Sequence, residues 1–576
     1  MRPKPILQAA ALALLAAPGI ADPTQELPEG TTALLDRAPV QAREFMVAAA
    51  HPLAAEAGHA VLAAGGSAAD AAVAVQAMLT LVEPQSSGLG GGGFVLHWDA
   101  ATGDLTTYDG RETAPLAAGP DLWLDADGAH MAFWTAVVGG RSVGVPGTPL
   151  LLETLHARHG RLPWADLLAP AITLAEEGFA VSQRLASSIA GARDLDRFEP
   201  TRSYFFDADG APLAEGTLLR NPDLARTLRI FAEEGAAPFY TGAIAEEIVA
   251  TVRAADPPGL LSLEDMAAYT VVERPPVCIA YRAHQVCGMG PPSSGGLTVG
   301  QMLGMLEAFD LAALGPGVAS THLLLEAARL AFADRNLFMA DADFVDTPEG
   351  LLNRAYLAER AALIDPGRSM GVAAPGDPPW EEARARAPDP GPDRRGTTHF
   401  VIVDADGNAV SATTTIEAGF GSRLMTGGFL LNNELTDFAR APEVDGRPVA
   451  NRAQGGKRPR SSMAPTIVLR DGRPVILTGS PGGAAIIPYT ARSIVALLDW
   501  GLDPQAAAAL PHAVTFNGPV FLEPAEGVGE LYRALDALGH EVTIRDLNSG
   551  LHIIRITEVG FEGGADPRRE GVVLGE

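Results

Sequence analysis

Residues 396–415 read GTTHFVIVDADGNAVSATTT. The first part, TTHFVIV, is β-branched and apolar, DADGN is turn chemistry, and AVSATTT is a second strand. Taking residues 404–408 as a five-residue loop sets Val403 opposite Ala409. Counting back places Thr397 opposite Thr415, so two hydroxyls meet at the open end of a hairpin. A threonine alcohol is a poor nucleophile unless a base stands beside it. A threonine at a chain terminus meets that need with its own α-amine, whose ordinary pKa of about 7.7–8.0 leaves a useful neutral fraction near pH 7. Thr397 is internal, so this chemistry requires a cut between Gly396 and Thr397. Gly396 favours one, because a residue without Cβ tolerates strained geometry and leaves its carbonyl open to the Thr397 hydroxyl. Residues 366–396, PGRSMGVAAPGDPPWEEARARAPDPGPDRRG, have no hydrophobic periodicity and many prolines. They read as a flexible linker ahead of the cleavage site.

Outward from the hairpin, strands are expected at 428–433, 464–469 and 474–479, with helices near 484–500 and 527–539. Upstream, residues 49–84 read as two helices broken at Gly65-Gly66, and helical patterns dominate 148–180, 222–255 and 298–340. Apolar strands together with helices point to sheets covered by helices, a layered α/β fold. Length alone would allow three or four domains. The run Gly88–Gly93 satisfies G-x-G-x-x-G, but a helix precedes it and the strand-like FVLHWD follows. A dinucleotide site needs the reverse order, so the loop is read as a place where something approaches the backbone closely. Three DADG stretches, at Asp125, Asp207 and Asp404, lack the later acidic ligand of a calcium loop and are read as turns.

The chain has 576 residues, is 47% hydrophobic and carries a net charge of −28. Its lysines are Lys4 and Lys457, so no basic stripe exists to attract nucleic acid. The first residues, MRPKPILQAAALALLAAPGIADPTQ, combine a positive start, an apolar run over Ile6–Ala17 and small residues before Ala21. Residues 1–21 are expected to be a signal peptide, and the run is too short to span a bilayer. The mature protein is expected to be periplasmic or secreted, with no membrane partner. In CIAYRAHQVC, a two-residue turn at Arg282-Ala283 places Cys278 opposite Cys287 as a non-hydrogen-bonded pair. A disulfide is expected in an oxidising compartment.

Downstream of the hairpin, IEAGFGS, LLNNELTDF, KRPRSSMAPTIV and LTGSPGG follow in order. Upstream stand SGLGGGGFVLHWD, YDGRETAP and MGPPSSGGLTVGQML, and GADPRREG lies near the end. Together these resemble the γ-glutamyltranspeptidase family, also called glutathione hydrolases, over nearly the whole mature chain. The resemblance implies a four-layer αββα sandwich of the N-terminal-nucleophile hydrolase type. It also implies a precursor that cuts itself into a large subunit, 22–396, and a small catalytic subunit, 397–576, which stay together as a heterodimer.

By the same resemblance, Thr397 would be the nucleophile and Thr415 would orient it. Gly482 and Gly483 would form the oxyanion hole, which suits their place just before a helical stretch, where unpaired N–H groups gather. Arg111, Ser461 and Ser462 would hold the α-carboxylate of a γ-glutamyl group, while Glu434 and Asp437 would grip its ammonium. His399 matches a position with no catalytic task. The implied donors are γ-glutamyl compounds such as glutathione, and the acceptors are water or amino acids. No metal or organic cofactor is implied.

Two departures stand out. Glu417 occupies a position where transpeptidases commonly carry asparagine, adding a third carboxylate near one ammonium. Residues 439–456 look short and lack a tyrosine-bearing lid, which should favour water over an amino acceptor. The alternatives are a glutaryl or cephalosporin acylase of the same fold, or an uncleaved periplasmic binding protein without chemistry.

Overall fold

The structure is a computed structural model that describes residues 31, 34–125, 127–379, 386–389 and 396–576. The expected signal peptide, residues 1–21, lies outside the described residues.

The hairpin forms in the expected register, from Val403 opposite Ala409 to Thr398 opposite Thr414. It is the centre of a seven-stranded sheet. The order is Val572–Gly575, Met46–Ala49, Thr398–Val403, Ala409–Thr415, Gly92–Asp99, Asp104–Gly110 and Val272–Arg274, with every neighbouring pair antiparallel. A second antiparallel sheet of seven strands runs Val40–Ala42, Gly560–Ala565, His552–Thr557, Arg473–Gly479, Thr466–Arg470, His284–Gly288 and Val277–Tyr281.

Alternation along Thr398–Val403 explains the layering. Phe400 and Ile402 point into a core shared with the helices Pro52–Ala63 and Ala68–Val82. Val401 and Val403 point the other way, into a core containing Ile467, Leu477 and Ile553 of the second sheet. Ser411 stitches the sheets together: it donates to the Thr478 carbonyl at 3.4 Å and accepts from the Thr466 amide at 3.1 Å. Helices Gly295–Leu306, Val318–Phe338 and Ile486–Leu498 pack into the second core as the fourth layer. This is the αββα sandwich. Length did not translate into separate domains here, because each sheet takes strands from both ends of the chain.

The break between the first two helices falls where expected. Gly65 adopts φ +84°, and Ser67 caps the next helix in a capping box with Asp70. Cys278 and Cys287 are paired at a Cα–Cα distance of 4.1 Å and disulfide-bonded. Asp125, Asp207 and Asp404 each accept backbone N–H bonds from two and four residues ahead, as turn aspartates do. Among the described residues, no helix is long and apolar enough to cross a membrane.

Two expectations are corrected. The strand proposed over 428–433 shrinks to Phe429–Leu430, because the side chain of Asn432 turns away to bond the Gly90 and Gly144 carbonyls and the Gly144 amide. The described parts of 366–396 carry no helix or strand, yet they are anchored rather than loose. Ala373 donates to Asn517 at 2.7 Å, Gly376 donates to Asp334 at 2.7 Å, and the buried Asp389 accepts from Arg460 at 3.0 Å. Side chains elsewhere in the chain supply the partners that the linker's own composition could not reveal.

Candidate active site

At the open end of the hairpin the Thr397 and Thr415 hydroxyl oxygens lie 3.5 Å apart. Thr397 Oγ1 also lies directly against the Gly396 carbonyl oxygen. Thr415 Oγ1 accepts from the Glu417 amide at 2.8 Å, which directs its own proton toward the Gly396 carbonyl at 3.1 Å. The Gly396–Thr397 peptide bond is thus polarised by one threonine and flanked by the other. Gly396 has φ +116°, and a Cβ there would stand 2.3 Å from the Glu417 carbonyl oxygen. Only glycine fits.

The preceding glycine loop explains how the site is assembled. A Cβ on Gly91 would lie 1.9 Å from the Thr415 carbonyl oxygen, and one on Gly90 would lie 2.0 Å from that of Leu430. The body that approaches this loop is the chain's own backbone, which brings the Thr415 strand end and the Asn432–Asp437 segment to one place.

There, Arg111, Gly396, Thr397, Thr415, Glu417, Glu434, Asp437, Ser461, Ser462 and Gly483 line one cavity of about 20 Å³. Gly482 precedes Gly483 at the start of the 3-10 turn Gly483–Ala485, which runs into Ile486–Leu498. Gly482 and Gly483 have φ +135° and +60°, a left-handed pair at a helix entrance, and neither amide donates a backbone hydrogen bond among the described residues. Unpaired N–H groups at a helix entrance carry partial positive charge.

Arg111 is 1% exposed. Its fork contacts Glu434 through Nη1 and Asp437 through Nη2 at 2.6 Å, and the Pro459 and Arg460 carbonyls accept at 3.2 Å. The cation assigned to a carboxylate and the anions assigned to an ammonium are therefore paired with one another. An α-amino acid carries both complementary charges and can enter such a pair without leaving either side uncompensated. Ser462 Oγ accepts from Arg335 at 2.8 Å, and Ser461 Oγ accepts from the Met463 amide at 3.1 Å.

Glu112 was not foreseen. It is fully buried with its nearest carboxylate oxygen 4.0 Å from Arg111, and burial together with the Glu434 carboxylate pushes its carboxyl well above the ordinary range. Burial also raises Glu434, against the pull of Arg111. Glu417 itself is bonded by the Asn433 side chain and stands near buried Arg423, whose pKa falls to about 10 through burial, offset by Glu417. Its backbone has φ +75°, a conformation that asparagine adopts more readily than glutamate.

His399, on the strand that Thr397 precedes, bonds Thr413 at 2.8 Å, and burial keeps it neutral. The stretch 439–456 forms only a small hairpin, Glu443–Val444 against Arg447–Pro448. Elsewhere, His322, Glu326 and His540 come together, but His322 already bonds His540 at 2.7 Å and Arg329 donates to Glu326 at 3.2 Å.

The family model for gamma-glutamyltranspeptidases matches residues 54–576. The chain belongs to the γ-glutamyltranspeptidase family. A glutathione hydrolase proenzyme of Bacillus subtilis (strain 168) is 37% identical over 546 residues, covering 92% of each chain. That of Escherichia coli (strain K12) is 36% identical over 543 residues, covering 92% of this chain and 91% of the relative. Among solved structures, a cephalosporin acylase from Bacillus halodurans superposes with a TM-score of 0.83 at 30% identity, covering 94% of this chain and 97% of that one. This γ-glutamyltranspeptidase family member therefore shares its scaffold with enzymes named for two kinds of amide.

Proposed function

We propose that the chain is a self-processing γ-glutamyltransferase and glutathione hydrolase whose nucleophile is Thr397. The observation that carries this reading is the Thr397 hydroxyl against the Gly396 carbonyl, in the same cavity as the Arg111–Glu434–Asp437 cluster.

Processing begins when Thr397 Oγ1 attacks the Gly396 carbonyl carbon. The C–N bond breaks, the nitrogen takes a proton, and an ester joins Gly396 to Thr397 Oγ1. Water hydrolyses the ester, leaving the Gly396 carboxylate and a free Thr397 amine beside its own alcohol. In turnover that amine removes the hydroxyl proton as Oγ1 attacks a γ-amide. The Gly482 and Gly483 N–H groups receive the oxyanion, a contribution of about 3–4 kcal/mol per donor in comparable sites. The amine leaves with the proton, and water or an amino acid releases the γ-glutamyl ester.

Fragments 22–396 and 397–576 remain one heterodimer, since both sheets interleave strands from each. Export to the periplasm or medium fits the N-terminal pattern and the Cys278–Cys287 disulfide. The short 439–456 hairpin carries no tyrosine-bearing lid, so hydrolysis outruns transfer. A partition ratio favouring acceptor product at ordinary amino-acid concentrations would contradict that.

The acylase reading draws on the fold match to the cephalosporin acylase. Side-by-side γ-glutamyl and glutaryl anilides decide between them. A glutaryl group lacks the ammonium that Glu434 and Asp437 would meet, so the γ-glutamyl anilide should react at least about a hundredfold faster. Equal rates, or a glutaryl preference, would overturn the assignment.

A further inference from the structure

We propose that Glu83 and Arg569 form a buried charge pair beneath Thr397 that positions the amine exposed by cleavage and sets its basicity. The inference rests on Thr397 being the processed nucleophile.

The ladder of the hairpin ends at Thr398 opposite Thr414, so Thr397 lies beyond its last pair. Once the Gly396–Thr397 bond is cut, the Thr397 backbone continues only on its C-terminal side. Two contacts hold it there. Thr398 Oγ1 donates to Glu83 Oε2 at 2.7 Å, and Arg569 Nη1 reaches the Thr397 carbonyl at 3.4 Å. Glu83 Oε1 lies 3.9 Å from Arg569 and 3.5 Å from Arg184. All three side chains are at most 2% exposed. The second of the paired threonines is therefore an anchor, and its partner comes from the turn after the helix Ala68–Val82.

Arg569 also reaches the oxyanion loop. Its Nε donates to Asn548 at 3.2 Å and to the Ser549 carbonyl at 3.1 Å, and the next amide, Gly550, donates to Ser480 Oγ at 3.1 Å, two residues before Gly482. One guanidinium thus ties the nucleophile to the loop that must receive the oxyanion. Neither Glu83 nor Arg569 lines the cavity, so each acts through Thr397 as a positioning residue.

Charge adds a second consequence. The amine must be neutral to act as a base; a nearby cation lowers its pKa and a nearby anion raises it. Among the described residues, the guanidiniums of Arg569 and Arg184 and the carboxylate of Glu83 stand beneath Thr397, and Glu570 accepts from the Arg184 amide at 2.9 Å. Across the cavity stand Arg111 with Glu434 and Asp437, and Glu417 adds a further carboxylate. On the strand itself His399 is neutral. Removing Arg569 therefore raises the amine's pKa, whereas removing the charge of Glu83 lowers it.

The test is the pH profile of kcat/KM for a γ-glutamyl anilide on processed Arg569→Gln, Arg569→Lys and Glu83→Gln. The acid limb should move up by about one pH unit in Arg569→Gln and down by about the same in Glu83→Gln. Arg569→Lys keeps the charge but loses the fork, so its limb should stay in place while kcat falls at least fivefold. If Arg569→Gln does not fold, the downward move in Glu83→Gln against the fixed limb in Arg569→Lys carries the result. Limbs that do not move, or that move in the same direction, would overturn the pair. N-terminal sequencing of the unsubstituted protein separates the two ideas. A small fragment that starts elsewhere sinks the nucleophile assignment, whereas a Thr397 start with unmoved limbs sinks only this inference.

Discussion

Thr415 donates to the Gly396 carbonyl at 3.1 Å while Thr397 Oγ1 rests against that same carbonyl. Two side chains that meet at the open end of one hairpin thus converge on the peptide bond that precedes Thr397. Thr415→Val keeps the shape and loses the donor. Loss of one hydrogen bond in a buried site should slow the appearance of the two fragments on a denaturing gel by about 10- to 100-fold. Unchanged processing would remove Thr415 from the account.

Gly396→Ala should block processing altogether. At φ +116°, with the Glu417 carbonyl 2.3 Å from the new Cβ, alanine would swing the carbonyl away from Thr397. The variant should fold and remain one polypeptide; rapid cleavage would show that the junction needs no left-handed residue.

The parts legible in the sequence were local. The hairpin register followed from five turn residues, and the Cys278–Cys287 pairing followed from two. The family's motifs supplied the residues of the cavity. What stayed hidden was long-range. Glu83 and Thr398 are 315 positions apart, and Arg335 reaches Ser462 across 127. Nothing in either segment's pattern names the other. Glu112 was visible as the neighbour of Arg111 in GRETAP, but only packing shows that it shares a buried site with Glu434. The anchoring of the described residues around Ala373, Gly376 and Asp389 was hidden for the same reason.

Arg111→Lys should leave the fold intact by circular dichroism and lower kcat/KM about 100- to 1000-fold, mainly through KM. A single ammonium cannot span Glu434 and Asp437 while pairing both oxygens of a carboxylate. A KM within twofold of the parent would place substrate recognition elsewhere.

Glu112→Gln gives a pH signature. Its folded-state carboxyl is pushed up, so its contribution to stability is fully present below the ordinary carboxylate pKa and is lost as pH rises through the folded value. Glutamine imitates the protonated acid and cannot lose the proton. The substitution should therefore raise the melting temperature more at about pH 8 than at about pH 5. Equal effects at both would mean that Glu112 stays ionised throughout.

The most direct measurement is N-terminal sequencing of the smaller fragment from purified, active protein. The account predicts Thr-Thr-His-Phe, beginning at Thr397, and a single uncut chain for Thr397→Ala. Protein that hydrolyses γ-glutamyl anilides while uncut, or whose small fragment begins at another residue, would contradict it.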